Sequence, residues 1–317
     1  MVTFDKTFNK LHHLNVVAGF TYENTNWGGK AINASNFPTD ITEDYNLSQA
    51  LTIDAPTSNR GEATLVSLLG RANYVLKDRY IFTASYRRDG SSRFAPGNKF
   101  ANFASGAVAW VLSEEKWLKD VSWVNFLKLR ASFGVINVDY LPKDGSTTVY
   151  DYWDQIYTTT GTQYKFNSSY DSEFGSTIIG RLATANSTHE KAYKYNVGVD
   201  AVLFNGLDVT AEGYYQRRKD IWVSSEGKYT DVLGVDAPFE NAGIVDSYGV
   251  ELGLNYTKRL GDVVFNLGGN FAWNKNEIKE QLEEPRLYKN LVQTGNRLGQ
   301  VYGMVAEGFF KDKEDIA

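Results

Sequence analysis

The chain has 317 residues, enough for one large β domain or two ordinary ones, with a net charge of -5, 20 Tyr, 18 Phe, 28 Gly, 6 Pro and no cysteine. The missing cysteines exclude a disulfide scaffold and a thiolate metal site, and the acidic balance argues against a nucleic-acid binder held by phosphate contacts. No stretch approaches about 18 uninterrupted apolar residues, which excludes a helical membrane span but not a barrel, whose alternating strands average to a polar composition.

Val2 to Phe8 reads as the end of an incoming strand and Asn9-Lys10 as its turn. Leu11 to Glu23 is the next strand, with Leu14, Val16, Ala18, Phe20 and Tyr22 on one face. Asn24 to Gly61 is a long polar stretch, read as a loop. The central hairpin follows. Glu62 to Leu76 and Arg79 to Arg88 are joined by a tight turn at Lys77-Asp78, and Tyr80, Phe82, Ala84 and Tyr86 oppose Ile81, Thr83, Ser85 and Arg87. Asp89 to Asn102 is a polar loop and Phe103 to Trp110 a short strand. Ser113-Glu114-Glu115 resembles a capping signal, so Lys116 to Val124 is expected to form one helical turn or two.

Phe126 to Gly134 alternates Leu127, Leu129, Ala131 and Phe133 against Lys128, Arg130 and Ser132. Val135 to Glu190, rich in Tyr, Thr, Ser, Asp and Gly, is the longest irregular segment, expected to carry a small hairpin of its own. Lys191 to Phe204 and Leu207 to Ser225 form a hairpin about Asn205-Gly206, a tight-turn signal. Glu226 to Asp246 is another loop. Ser247 to Lys258 and Val263 to Asn276 pair about Arg259 to Asp262, the second with Val263, Phe265, Leu267, Gly269, Phe271 and Trp273 on one face. From Glu277 the chain is polar and charged.

Each strand thus has an apolar face and a mixed face, the latter with mid-strand charge at Arg130, Asp200, Glu212 and Glu251. In a soluble sandwich the apolar face is the core; in a barrel it meets lipid and the mixed face lines the lumen. Periodicity alone does not choose. Three features favour an all-β antiparallel transmembrane barrel. The strands are long, tyrosine and tryptophan sit near their ends (Tyr80, Tyr86, Trp110, Tyr256, Trp273), and tight turns alternate with long loops.

A resemblance points the same way. RANYVLKDRYIFTASYRRDGSSRF, then WVLSEEKWL and LKLRASFG, resembles the barrel of the SusC/RagA-type TonB-dependent outer-membrane transporters of Bacteroidetes. FDKTFNKLHHLNVVAGFTYE resembles an early barrel hairpin, EKAYKYNVGVDAVLFNGLDVTAEGYYQRRKDIWV a later one, and GVELGLNY with FAWNKNEI the next. GQVYGMVAEGFFKDKEDI resembles the loop region that follows. The departures are Gly134-Val135-Ile136-Asn137 after the LKLR strand, His189 where a Trp is common, and Ser247-Tyr248 where an Asn and a basic residue are frequent. The resemblance implies about ten strands of a plugged barrel that in such transporters has roughly 22. The whole chain would be part of one barrel domain, without the plug, the TonB box, the closing strands or a terminal aromatic residue. The opening MVTFDKTFNK has no apolar export segment, which fits an internal piece. Such a piece, with open strand edges, is expected to aggregate alone.

The function the resemblance implies is energised import of a glycan or peptide across the outer membrane. The implied partners are a SusD-like surface lipoprotein that captures the oligosaccharide or peptide, and the TonB-ExbB-ExbD complex, which acts through a region outside this chain. Alternatives are a passive porin-like barrel and a soluble secreted β-rich carbohydrate-binding module. Tyr150, Tyr152, Trp153, Tyr157 and Tyr164 are candidates for stacking on a ligand or lid; packing within the loop is an equal alternative. Arg88, Asp89, Gly90, Ser91, Ser92, Arg93 and Phe94 form the family loop motif, which with Arg87 is expected to pair internally and order the loop rather than bind ligand or lid. His12 and His13 face opposite ways and His189 is remote in sequence, so no metal site is expected. Glu114-Glu115 marks no pair of carboxylates across a cleft, and no enzyme or cofactor is expected. Lys311 to Asp315 reads as a mixed, solvated charge run.

Overall fold

The computed structural model describes residues 1–38, 46–139, 152–153, 156–159, 176–229, 231–306 and 308–309. In chain order the strands are β1 (Val2–Phe8), β2 (His12–Ala31), β3 (Ala34–Ser35), β4 (Thr52–Ile53), β5 (Thr57–Leu76), β6 (Tyr80–Ser91), β7 (Phe100–Val111), β8 (Val124–Val138), β9 (Ile156–Thr159), β10 (Ser176–Ile179), β11 (Glu190–Leu203), β12 (Leu207–Ser224), β13 (Phe239–Leu260) and β14 (Val263–Glu280). Ten of them form one antiparallel sheet in the order β1-β2-β5-β6-β7-β8-β11-β12-β13-β14. The pairs β3-β4 and β9-β10 are small separate hairpins in the connections. Every strand of the large sheet pairs with its neighbour in sequence order, the up-and-down topology of a barrel wall.

The short connections all lie at one end. Asn9 and Lys10 (φ 51° and 56°) and Lys77 and Asp78 (φ 55° and 56°) make two-residue turns with both residues left-handed, which match the twist of the flanking strands. The β11-β12 turn differs from the expected Asn205-Gly206 pair, because the left-handed residues are Phe204 and Asn205 (φ 52° and 55°). Phe204 is held there by stacking on Trp123 (5.7 Å) and by donating its N–H to the Trp123 carbonyl (2.9 Å). Asn125 grips the same turn, accepting from the Asn205 N–H (2.8 Å) and donating to its side-chain oxygen. Gly206 serves a different need: the Thr257 carbonyl packs where its Cβ would stand.

The helix expected over Lys116 to Val124 is a 3-10 turn at Leu112–Glu114 followed by tight turns. Its organiser is Glu115, whose carboxylate accepts from Arg79 (3.2 Å), the Tyr80 hydroxyl (2.7 Å) and the Trp110 indole (3.1 Å). One acidic side chain thereby ties the connection to the ends of β6 and β7.

At the opposite end the strands overrun their expected limits. β2 continues to Ala31 and β5 begins at Thr57, shortening the loop read as Asn24 to Gly61. β6 runs to Ser91, β8 to Val138, and β13 begins at Phe239 inside the loop read as Glu226 to Asp246. Beyond the lipid both faces of a strand meet water, so apolar alternation fades while backbone pairing continues.

The register places the apolar residues in rows across the sheet. Tyr80, Trp110, Leu129, Val199, Ala211, Leu252 and Phe271 are successive Cα partners, as are Phe82, Val108, Ala131, Val197, Gly213, Val250 and Trp273. These side chains are largely exposed, with Phe271 at 60% and Val197 at 62%. An apolar face this open, on strands of up to 22 residues, is a lipid-facing wall. Aromatic pairs sit at both of its margins: Tyr80 with Trp110 (6.3 Å) at the tight-turn end, and Tyr195 with Tyr215 (6.1 Å) and Tyr248 with Trp273 (5.9 Å) toward the loop end. Each such pair contributes about 0.5–1.5 kcal/mol beyond its buried area.

Candidate functional site

The opposite face is the polar wall, and strands β8, β11 and β12 carry its charge. Lys128 Nζ lies 2.8 Å from Asp200 Oδ2, and Arg130 Nε lies 3.4 Å from the same oxygen. Arg130 also donates to Asn196 Oδ1 (3.0 Å) and to Glu212 Oε2 (2.7 Å). Glu251 is the direct cross-strand partner of Glu212, so Arg130 offsets a like-charge opposition that would otherwise be destabilising. On β12 to β14 the polar wall changes character. Asp208, Thr210, Gly253, Asn255, Gly268 and Asn270 line a recess of about 390 Å³. The Asn255 amide lies over Gly268, its oxygen 3.2 Å from where a Cβ would stand.

The rim at the loop end is knotted by the RDGSSRF stretch. Arg87 Nε reaches both carboxylate oxygens of Asp89 (2.6 and 2.8 Å), and its terminal nitrogen donates to Ser67 Oγ (3.0 Å). The Ser92 N–H donates to the Thr64 carbonyl, and Ser92 Oγ accepts from the Thr64 N–H (both 2.9 Å). Arg93 donates to the carbonyl of Asp139 (3.1 Å) and to its carboxylate (3.3 Å), toward which Ser91 also points (3.4 Å). Gly90 leaves room for the Phe100 ring, on which the Arg88 guanidinium lies at 5.2 Å. Phe94 is 1% exposed and packs 4.2 Å from the ring of His189.

His189 is the centre that the sequence did not mark. β7 and β8 stop pairing above Ser105 and Gly134, and this ring bridges the opening. Its Nε2–H donates to the Lys99 carbonyl (2.9 Å), while Nδ1 meets the Asn137 amide (2.8 Å), which in turn reaches Asp89 (3.4 Å). Burial pushes the imidazole below its ordinary value, against the pull of the Lys99 carbonyl. The residues just before it are strapped on both sides. Ser187 Oγ accepts from the Ala95 N–H (3.1 Å), and Thr188 exchanges two 2.9 Å bonds with the Asn241 side chain. In the sequence His189 is marked only as a departure, standing where a Trp is common and remote from the other histidines, and that gives none of its contacts.

Of the aromatic candidates, Tyr152 and Trp153 meet edge to face at 5.3 Å, with Trp153 60% exposed. Tyr157 lies on β9. Tyr150 and Tyr164 lie outside the described residues, as does the charge run Lys311 to Asp315. His12 bonds the Tyr74 hydroxyl (2.6 Å) and His13 bonds Thr7 (3.0 Å).

A family model described as TonB dependent receptor-like, beta-barrel matches residues 2–304. The chain belongs to the TonB-dependent receptor β-barrel family. Among curated relatives, the TonB-dependent receptor P3 of Formosa agariphila is 27% identical over 98% of this chain and 31% of its own length. The TonB-dependent receptor SusC of Bacteroides thetaiotaomicron is 33% identical over 68% of this chain and 21% of its own. The RagAB peptide transporter structure superposes with a TM-score of 0.73 at 22% identity, covering 93% of this chain and 32% of that one. The chain therefore spans about a third or less of the proteins it matches. As a TonB-dependent receptor barrel of SusC/RagA type, the sheet is an outer-membrane wall. Its apolar face lies against lipid, its polar wall faces the lumen, its tight turns are periplasmic and its knotted rim is extracellular.

Proposed function

We propose that the chain is part of a single barrel domain in a longer receptor that imports a glycan or a peptide with energy delivered through TonB. The match of residues 2–304 to the TonB-dependent receptor barrel, together with a relative named SusC, carries this reading. In it, a SusD-like surface lipoprotein seats on the extracellular rim. Tyr152, Trp153 and the loop aromatics Tyr150, Tyr157 and Tyr164 contact ligand or lid, and the RDGSSRF knot orders the rim. RagAB, a peptide importer of the same fold, supports the peptide alternative.

The test begins with the intact receptor extracted in detergent from outer membranes. A chain much heavier than 35.6 kDa with a lipoprotein bound is expected. Uptake of its ligand should stop when TonB is removed. Uptake that persists without TonB would replace this reading with a passive porin-like barrel.

A further inference from the structure

The lipid-facing wall is not uniform. A groove of about 700 Å³ crosses it from Ala72 on β5 to Val197 on β11, with Ala84, Gly106, Val108 and Ala131 in its middle and Phe82 and Phe133 beside them. Tyr195 lies next to Phe133, its ring 4.8 Å away. Upward from the groove β7 presents only Ala104 and then Asn102 to this face, beside Tyr86 and Arg88 of β6. Along β7 the run from Val108 to Asn102 is about 20 Å at about 3.3 Å per residue.

The loop end carries a charge that no carboxylate meets among the described residues. The Tyr86 hydroxyl donates to Asn102 Oδ1 (2.8 Å), leaving the Asn102 amide nitrogen free to donate. Arg88 lies over the Phe100 ring, 5.2 Å from its centre, and has no carboxylate partner among the described residues. It lies eight residues along β6 from the aromatic margin at Tyr80. At about 3.3 Å per residue and a strand tilt of about 40°, that is about 20 Å above the periplasmic margin, near the outer edge of an apolar band about 25 Å tall. At the other end the groove meets Trp110 and Tyr80.

We propose that this groove holds one acyl chain of an anionic outer-leaflet lipid, with the phosphate of its headgroup on Arg88 and Asn102. A guanidinium and an amide N–H at headgroup depth supply donors for a phosphate oxygen, and an arginine without a carboxylate partner leaves a positive charge to be met. The apolar length below suits a chain that enters with its charge outermost.

The test uses the full-length receptor in detergent, with phosphatidylglycerol and phosphatidylcholine of identical acyl chains, and native mass spectrometry as the readout. The wild type is expected to retain phosphatidylglycerol several-fold over phosphatidylcholine. R88Q should bring that ratio to about one, and R88K should keep it. G106L should lower retention of both lipids several-fold, since a side chain there fills the groove; a Cβ at this position meets only the Thr83 carbonyl, at 3.8 Å. No headgroup preference in the wild type, or an R88Q variant that keeps it, would overturn the headgroup assignment. Unchanged retention in G106L would overturn the groove. A receptor that runs as a pair, and returns to a single copy in G106L, would give the groove to a second barrel instead of a lipid.

Discussion

Arg130 on β8 reaches Glu212 on β12 (2.7 Å) by passing over Gly198 of the intervening strand β11. A Cβ at Gly198 would lie 2.7 Å from the guanidinium carbon, so the bridge takes this path through space that a side chain there would fill. The link joins three strands on the lumen face. Both partners are less than a third exposed, at 29% and 23%, so the pair is screened less than a surface bridge.

Gly198→Val should therefore break the bridge without touching either charged partner. It is expected to cost about 1–3 kcal/mol, and Glu212→Gln about 1–2 kcal/mol, in denaturant unfolding of the full-length receptor in micelles. The double variant should cost less than the sum, because each removes the same interaction. Additive losses would show that Gly198 acts by packing alone.

Glu115 controls the periplasmic end of β6 and β7. The hydrogen bond from the Tyr80 hydroxyl, then that from the Trp110 indole, hold its carboxyl below the ordinary 4.5, with Arg79 adding to them against partial burial. A depressed carboxyl stabilises the fold above its unfolded value and loses that contribution as pH falls through the folded one. The thermal midpoint of the wild type should drop more steeply than that of Glu115→Gln between pH 5 and pH 3. Parallel curves would remove Glu115 from the account of acid stability.

His189 titrates in the opposite chemical sense but with the same outcome. Burial holds it below the ordinary 6.5, so on acidification the unfolded state takes up a proton before the folded state does. Stability of the rim is full above 6.5 and declines below it. Hydrogen exchange of peptides covering residues 92–99 and 184–190, corrected for intrinsic rates, should show lost protection at pH 5.5 relative to 7.5. His189→Gln, which does not titrate, should show no such step. A step of the same size in that variant would assign the change to another group.

Gly206→Ala tests the turn whose glycine was read for its conformational freedom. The added methyl meets the Thr257 carbonyl, which also accepts no alternative position while Thr257 N–H donates to the Gly206 carbonyl (2.8 Å). A loss of about 1–3 kcal/mol is expected by the same unfolding measurement. Phe204→Gly, which relieves a left-handed phenylalanine but loses its stacking on Trp123, should cost less. The reverse ranking would mean that the turn is fixed by the phenylalanine rather than by the close approach.

The sequence by itself determined the strands that cross the lipid, the face each presents there, and the end at which the tight turns lie. Those properties follow from local rules. Alternation is enforced wherever lipid lies on one side and water on the other, and Lys77-Asp78 can be read as a turn without knowing its surroundings. Only the tertiary structure decided what depends on register between distant strands. It set Arg130 over Gly198, gathered three donors on Glu115, and placed His189 against Phe94, nearly a hundred residues away in sequence. It also decided how far the strands run beyond the membrane, because there both faces are wet and pairing leaves no periodic trace. The acyl-sized groove is of the same kind: Ala84, Gly106 and Ala131 are ordinary small residues in the chain and become a floor only when three strands align them.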